Sequence, residues 1–167
     1  MSTEHTDLVW HVYERTIPAA LALLPGRMTS DEAVAELLAI GLQESRFKYR
    51  RQVGPGPARG FWQFERGGGI TEVLENPMTK PLIVPICELL LYEPTPTVCH
   101  LAVENNDVLA ACFARLLLYR DPATLPTFSE EQKGWDIYLR NWRPGKPHPQ
   151  TWPQYYRQAW SIVKGTS

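Results

Sequence analysis

The sequence has no excess of charge of either sign. Its 167 residues include 17 Lys and Arg and 18 Asp and Glu, for a formal net charge of -1 at pH 7. Nucleic-acid-binding domains usually carry a basic excess, so this balance gives no reason to expect a nucleic-acid partner. Hydrophobic residues make up 44% of the chain, which is typical of a globular protein and unlike a disordered one.

Cysteines are few, and their number is odd. Cys87, Cys99 and Cys112 cannot all pair with one another, which argues against a complete disulfide framework. We expect them to be free, buried thiols. The Cys99-His100 pair has no CxxC or HxxxH spacing around it, so the sequence predicts no zinc site. We expect the protein to need no metal and no cofactor.

Long hydrophobic runs are also missing. The apolar segment 17–24 contains Pro18 and is shorter than the roughly 20 residues that cross a bilayer. Glu14 and Arg15 precede it, and it lacks a clear small-residue cleavage site, so no signal peptide is predicted. We therefore expect a protein that is made in the cytoplasm and does not insert in a membrane. Another route must carry it to any substrate outside the cell.

No alternating strand pattern appears, whereas apolar residues recur at helical spacing along most of the chain. Helices are predicted over 7–15 and 17–24, with a break near Pro18, and over 30–45, with Thr29 as N-cap. Ser129 is expected to cap a later helix. The remaining predicted helices cover 70–75, 81–92, 104–119, 129–141 and 151–163. The fold class is therefore mainly α, with at most a small β-hairpin after residue 45, and one domain over 1–167.

Glu44 is the residue whose position suggests chemistry. It shares one face of the predicted 30–45 helix with Leu37, Ile40 and Gly41, and a Gly- and Pro-rich loop follows. A carboxyl at the rim of a core is partly buried, which raises its pKa. Such a group can protonate the oxygen of a glycosidic bond. The alternative is that Glu44 points to solvent, as most glutamates do.

Two motifs around Glu44 resemble those of lytic transglycosylases and goose-type lysozymes. The run IGLQESRF over 40–47 is similar to the family's Glu-Ser motif, which ends an apolar helix. The run ARGFWQF over 58–64 is similar to its Gly-Leu-Met-Gln motif, with Phe61 and Trp62 in place of Leu and Met. Both motifs stand in the family's order and at the expected distance.

Two later motifs of the family have looser counterparts. The run NDVLAA over 106–111 is similar to the motif in which an Asn opens a helix, with Ala110 where the family usually has Gly. The run WDIYLRNWRPG over 135–145 is similar to the motif with a Tyr near a Gly-containing turn. The resemblance thus covers residues from about 30 to about 145.

The resemblance implies a lysozyme-like helical domain that cleaves the β-1,4 bond between N-acetylmuramic acid and N-acetylglucosamine in peptidoglycan. Glu44 would be the general acid and then the base. Ser45 and Gln63 would hydrogen-bond the substrate and shape the cleft, and Tyr138 would lie close to Glu44 and orient it. The alternative for Gln63 and Tyr138 is packing, since most aromatics at helical spacing belong to a core.

The stretch between Glu44 and Glu65 contains no Asp or Glu, although many glycosidases need a second carboxylate. Goose-type relatives carry a water-positioning Asp in this region. Its absence favours the transglycosylase reaction, in which a hydroxyl of the sugar replaces water. Glu65 and Asp107 stay open as partners of Glu44. The stretch is basic instead, which suits either the peptide carboxylates of peptidoglycan or a solvated face.

Two further alternatives concern the aromatic tail and the class of function. Aromatic residues at 152, 155, 156 and 160 fall near one helix face, which favours a core over a sugar-stacking surface. The resemblance implies a bacteriophage endolysin or virion-associated lysin, with glycan strands and other virion proteins as partners. A non-catalytic lysozyme-like module of a virion or secretion apparatus is the hypothesis from a different class.

Overall fold

A computed structural model describes the backbone of residues 3–166 and the side chains of residues 7–166. In that part of the chain the α-helices are α1 Thr3–His11, α2 Ile17–Ala22, α3 Asp31–Ser45, α4 Thr71–Glu75, α5 Lys80–Leu89, α6 Pro96–Ala102, α7 Asp107–Tyr119, α8 Glu131–Trp142 and α9 Trp152–Lys164. The predicted mainly α fold class is confirmed. In the segment after α3, where the sequence allows a small hairpin, two isolated antiparallel bridges join Arg51 to Arg59 and Arg59 to Phe64.

Helix α3 lies at the centre of the core. Its residues from Ala35 to Leu42 are all buried, because one side of the helix contacts α9 along its length and another contacts the apolar helix α7. The helix begins where the Ser30 side chain accepts a hydrogen bond from the Ala33 backbone N–H at 3.1 Å. Two acidic residues in its first turn interact favourably with the positive end of the helix dipole.

Several helix starts differ from the prediction. The N-cap of α3 is Ser30 and not Thr29. Ser129 caps nothing, since α8 begins after Glu130 without a side-chain cap. Helix α7 begins after Asn106, whose Oδ1 accepts from Leu109 N at 2.9 Å. In each case several polar residues adjoin the start, and only the backbone path decides which of them reaches the free N–H groups.

Helix α6 is absent from the prediction. Its start carries a recognisable signal, because Thr95 accepts from Val98 N at 3.3 Å and Pro96 occupies the first helical position. Only seven residues follow, too few for a helical period to stand out. The predicted break in the helix near Pro18 is absent, since a π-helical turn over Val12–Thr16 joins α1 to α2 without interruption.

Two other predictions about the core are confirmed. Cys87, Cys99 and Cys112 are buried and free. Of the aromatic tail, Trp152, Tyr156 and Trp160 are buried, and the partly buried Tyr155 packs against the same core. Among the described residues, no helix is long and apolar enough to cross a membrane.

Glu36 is the one carboxyl that α3 buries completely in this core. Its exposed fraction is 0%, and neither of its oxygens has a hydrogen-bond partner. Oε2 lies against Gly134 of α8, at a point that Tyr156 and Trp152 of α9 also approach. Burial raises the pKa of Glu36 to about 8, so the group is protonated at neutral pH.

Replacing Glu36 by Gln should abolish one pH dependence of stability. The pKa of Glu36 is 4.5 in an unfolded chain and about 8 in the folded protein. Its contribution to the free energy of unfolding is therefore largest below pH 4.5 and falls as the pH rises toward 8, by up to about 1.4 kcal/mol per pH unit. Urea unfolding across this range should show a shallower slope in Glu36→Gln than in the wild type. The slope that remains comes from Glu44, whose pKa burial also raises.

The matched control is Glu75→Gln, which alters an exposed glutamate on α4 and should keep the wild-type slope. Equal slopes for the wild type and Glu36→Gln would show that Glu36 is not the group responsible.

Candidate active site

A cleft of about 750 Å³ opens where α3 ends. Its lining comes mainly from the end of α3, from residues 49–69, and from α8 with the loop after it. Three of the residues that the sequence singles out line this cleft, namely Glu44, Gln63 and Tyr138. Ser45 does not. Glu65, which the sequence leaves open as a partner, lines the same cleft.

The carboxyl of Glu44 is half-buried in the wall of the cleft. The Tyr138 hydroxyl donates a hydrogen bond to its Oε1 at 2.6 Å. The pKa of Glu44 is raised to about 7, mainly by burial. The hydrogen bond from Tyr138 lowers this pKa, and the negative charge of Glu65 raises it. Glu44 is therefore not a freely solvated glutamate, and near neutral pH it exists both as the acid and as the carboxylate.

Tyr138 is both a core residue and a partner of Glu44. Its side chain is only 2% exposed. The ring stacks on Trp152 of α9 with a centroid distance of 5.5 Å and an interplanar angle of 10°. Trp135 and Trp142, which lie on α8 with Tyr138, also contact the ring. Burial and the charge of Glu44 raise the pKa of Tyr138, so the hydroxyl stays a donor. The packing holds that donor at one position.

The end of α3 turns back on itself directly after Glu44. Arg46 and Phe47 both have left-handed backbone angles, with φ of 56° and 52°. This turn places the Phe47 ring against Gly41, where an added Cβ would lie 2.1 Å from the ring. Phe47 also contacts Phe61 and Trp62 edge-on. The close approach explains why this face of the helix needs a glycine one turn before Glu44.

Ser45 joins this helix end to the second motif. Its hydroxyl donates to the Phe61 carbonyl at 2.6 Å and accepts from Phe47 N at 3.0 Å. The side chain is 3% exposed and does not reach the cleft. The predicted hydrogen bond from Ser45 to a substrate is therefore not supported, because the protein interior already uses the hydroxyl. Ser45 shapes the cleft indirectly, because its hydrogen bonds hold the motif at 40–47 against the motif at 58–64.

Gln63 ends a tight turn that forms the cleft floor. Gly60 opens the turn with φ of 76°, and an added Cβ there would lie 2.5 Å from the Val103 carbonyl oxygen. Trp62 fastens the turn to α3 by donating to Leu37 O at 2.9 Å. Gln63 itself has φ of 50°, and its Nε2 donates to Gly60 O at 2.9 Å. The turn thus directs Gln63 into the cleft and Trp62 into the core.

Two residues that the sequence analysis does not single out also build the cleft. His100 is buried beneath it, with Nε2 2.9 Å from Pro57 O and 3.0 Å from Phe64 O. Trp142 lines the cleft and donates to Trp62 O at 2.9 Å. The sequence does not predict these contacts, because each joins segments far apart in the chain.

The basic stretch after α3 is largely neutralised within the protein. Arg50 forms an ion pair with Asp107, and Arg51 and Arg59 both pair with Glu104, the former at 2.7 Å. These pairs hold the stretch against the start of α7. Asp107 does not line the cleft, so of the two acidic partners left open by the sequence, only Glu65 faces the same space as Glu44.

No protein-family model, curated protein or solved structure matches this chain.

The titration of Glu44 should respond in opposite directions to its two neighbours. Tyr138→Phe removes a hydrogen bond that favours the carboxylate, so the pKa of Glu44 should rise above about 7. Glu65→Gln removes a negative charge that favours the acid, so the pKa should fall. Carbon-13 NMR of the labelled glutamate carboxyls measures both shifts without any assumption about activity. Shifts of the same sign in both variants would contradict this geometry.

Ser45→Ala should destabilise the fold. The change leaves the Phe61 carbonyl and the Phe47 N–H without their buried partner, which typically costs about 1–3 kcal/mol. Thermal or urea unfolding measures the loss. The control Ser129→Ala alters an exposed serine and should change the stability by less than about 0.5 kcal/mol. A Ser45→Ala protein as stable as this control would show that the hydroxyl does not join the two motifs.

Proposed function

We propose that this protein cleaves the glycan strands of bacterial peptidoglycan at the β-1,4 bond between N-acetylmuramic acid and N-acetylglucosamine. The observation that carries the proposal is the Glu44 carboxyl, which is half-buried in the wall of the cleft. Its pKa is about 7, and the Tyr138 hydroxyl donates a hydrogen bond to it at 2.6 Å. The resemblance of the motifs at 40–47 and 58–64 to those of lytic transglycosylases names the substrate class.

In the first step of the proposed reaction, protonated Glu44 gives its proton to the glycosidic oxygen as the bond to that oxygen breaks. The carboxyl then carries a negative charge in a partly buried position. The Tyr138 hydroxyl, already aimed at Oε1, stabilises this charge by a hydrogen bond that is stronger to a carboxylate than to an acid. Glu44 then acts as the base that accepts a proton from the attacking hydroxyl.

We propose the transglycosylase outcome, in which the attacking hydroxyl belongs to the muramic acid residue itself. The oxygen of that hydroxyl bonds to the anomeric carbon, its proton passes to Glu44, and an anhydro sugar end results. One carboxyl suffices for both steps. Two features support this choice: the 45–64 stretch contains no acidic residue, and Asp107 is paired with Arg50 outside the cleft. Glu65 is the group through which water could be activated instead.

The cleft walls suit a sugar chain. Tyr49 and Trp142 line the cleft together with Gln52 and Gln63. Aromatic faces and amides are the groups that pair with the apolar faces and hydroxyls of sugars. By the same resemblance, we propose a bacteriophage lysin as the setting, acting on the wall after release or from the virion.

Replacing Glu44 by Gln should abolish clearing of purified peptidoglycan in a zymogram or turbidity assay, because the amide cannot deliver a proton. Loss of a general acid costs about 10²–10⁴-fold in rate. Glu75→Gln, an exposed control on α4, should clear like the wild type. If the wild type clears nothing, or if Glu44→Gln clears equally well, the catalytic proposal fails, and a non-catalytic module becomes the better reading.

Mass spectrometry of the released fragments separates the two chemical outcomes. Anhydro-muramyl ends are expected from a transglycosylase. Reducing muramic acid ends, lost in Glu65→Gln, would instead identify a hydrolase that uses Glu65 to activate water.

A further inference from the structure

The loop over residues 143–150 forms a rim of the cleft that the proposed reaction leaves unused. It contains three prolines, at 144, 147 and 149. Each proline fixes its own φ and restricts the residue before it. The loop therefore has few backbone conformations to lose when a ligand binds.

Both ends of this rim are anchored. At its start, Arg143 takes a left-handed conformation with φ of 47° and pairs with Glu72 of α4. Near its end, Gln43 Nε2 donates to His148 O at 3.1 Å, and Thr151 donates to Gln43 Oε1 at 3.0 Å. Gln43 directly precedes Glu44, so the position of the rim is tied to that of the catalytic carboxyl.

Lys146 lies on this rim and lines the cleft. Its side chain is exposed, and no carboxylate among the described residues lies within ion-pair distance of it. Arg143, the other Lys or Arg among the cleft-lining residues, differs in this respect because it pairs with Glu72. Within the described residues, Lys146 is thus a cation of the cleft whose charge no protein group neutralises.

In strands that carry peptides the sugars themselves are neutral, since their amino groups are acetylated and the lactyl carboxyl of muramic acid is held in an amide bond to the peptide. The negative charges of peptidoglycan lie on the carboxylates of the peptide side chains carried by muramic acid. An unpaired ammonium on a rigid rim therefore complements a part of the substrate that is not the glycan itself.

We propose that Lys146 binds a carboxylate of these peptide side chains, and that the 143–150 rim makes the protein prefer glycan strands that carry peptides over bare strands. The inference rests on the proposed function for its substrate. It assigns the recognition of peptide charge to the rim, because the arginines at 50, 51 and 59 are engaged in ion pairs with the protein.

The test compares binding of soluble glycan strands before and after an amidase has removed their peptides. The lactyl carboxyl that this cleavage exposes on each muramic acid is then blocked as a methylamide, so that the bare strands carry no charge. All proteins carry Glu44→Gln, so that binding is measured by fluorescence titration without turnover. Adding Lys146→Gln should weaken binding of the peptide-bearing strands by about three- to fivefold, the scale of an exposed ion pair. Binding of bare strands should not change. Lys146→Arg should retain most of the preference, and high salt should reduce it.

Lys80→Gln is the matched control, since Lys80 is an exposed lysine at the start of α5 and outside the cleft lining. Three results would overturn the inference. Lys146→Gln could weaken binding of both strand types equally, it could weaken binding of neither, or the protein could bind neither strand type. A Lys146-dependent preference in a protein whose wild type cleaves nothing would sustain the inference and defeat the proposed chemistry. Cleavage by the wild type without any preference that depends on Lys146 would sustain the proposed chemistry and defeat the inference.

Discussion

The hydrogen bond between Tyr138 and Glu44 joins residues 94 positions apart at 2.6 Å and sets the geometry of the site. It forms only if α3 and α8 meet at their C-terminal ends, and that meeting is maintained by the stack of Tyr138 on Trp152. The aromatic core of α8 and α9 therefore does more than stabilise the fold. It holds a proton donor against a half-buried carboxyl, which is the arrangement that general acid–base chemistry requires.

Helix α3 carries one buried and one half-buried carboxyl with different surroundings. Glu36 is sealed in the core without a hydrogen-bond partner, whereas Glu44 has Tyr138 on one side and the cleft on the other. Burial raises the pKa of both. Only Glu44 can exchange a proton with a bound molecule, because only Glu44 reaches open space. A raised pKa alone thus does not mark a functional group, and access to a cleft has to accompany it.

The basic residues around the cleft differ in whether a carboxylate of the protein neutralises them. The arginines at 50, 51 and 59 pair with Asp107 or Glu104 and hold the cleft wall to α7. Lys146 stands on a rim that Gln43 and Glu72 anchor from different parts of the chain. From the sequence alone, the arginines of the basic stretch are open candidates for contact with an acidic ligand, and Lys146 is not singled out. Only the positions of their carboxylate partners distinguish them.

Local patterns in the sequence determined the helices other than α6, the burial of the cysteines and the placement of Glu44 at the end of α3, because each depends on neighbours within a turn or two. They also paired Glu44 with Gln63 and Tyr138 through a resemblance. Only the tertiary structure decided that Ser45 faces inward, that Glu65 enters the cleft while Asp107 does not, and that Gln43 holds the rim. Each of these depends on which distant backbone carbonyl or carboxylate lies within hydrogen-bond distance, and that distance is set by how the helices pack.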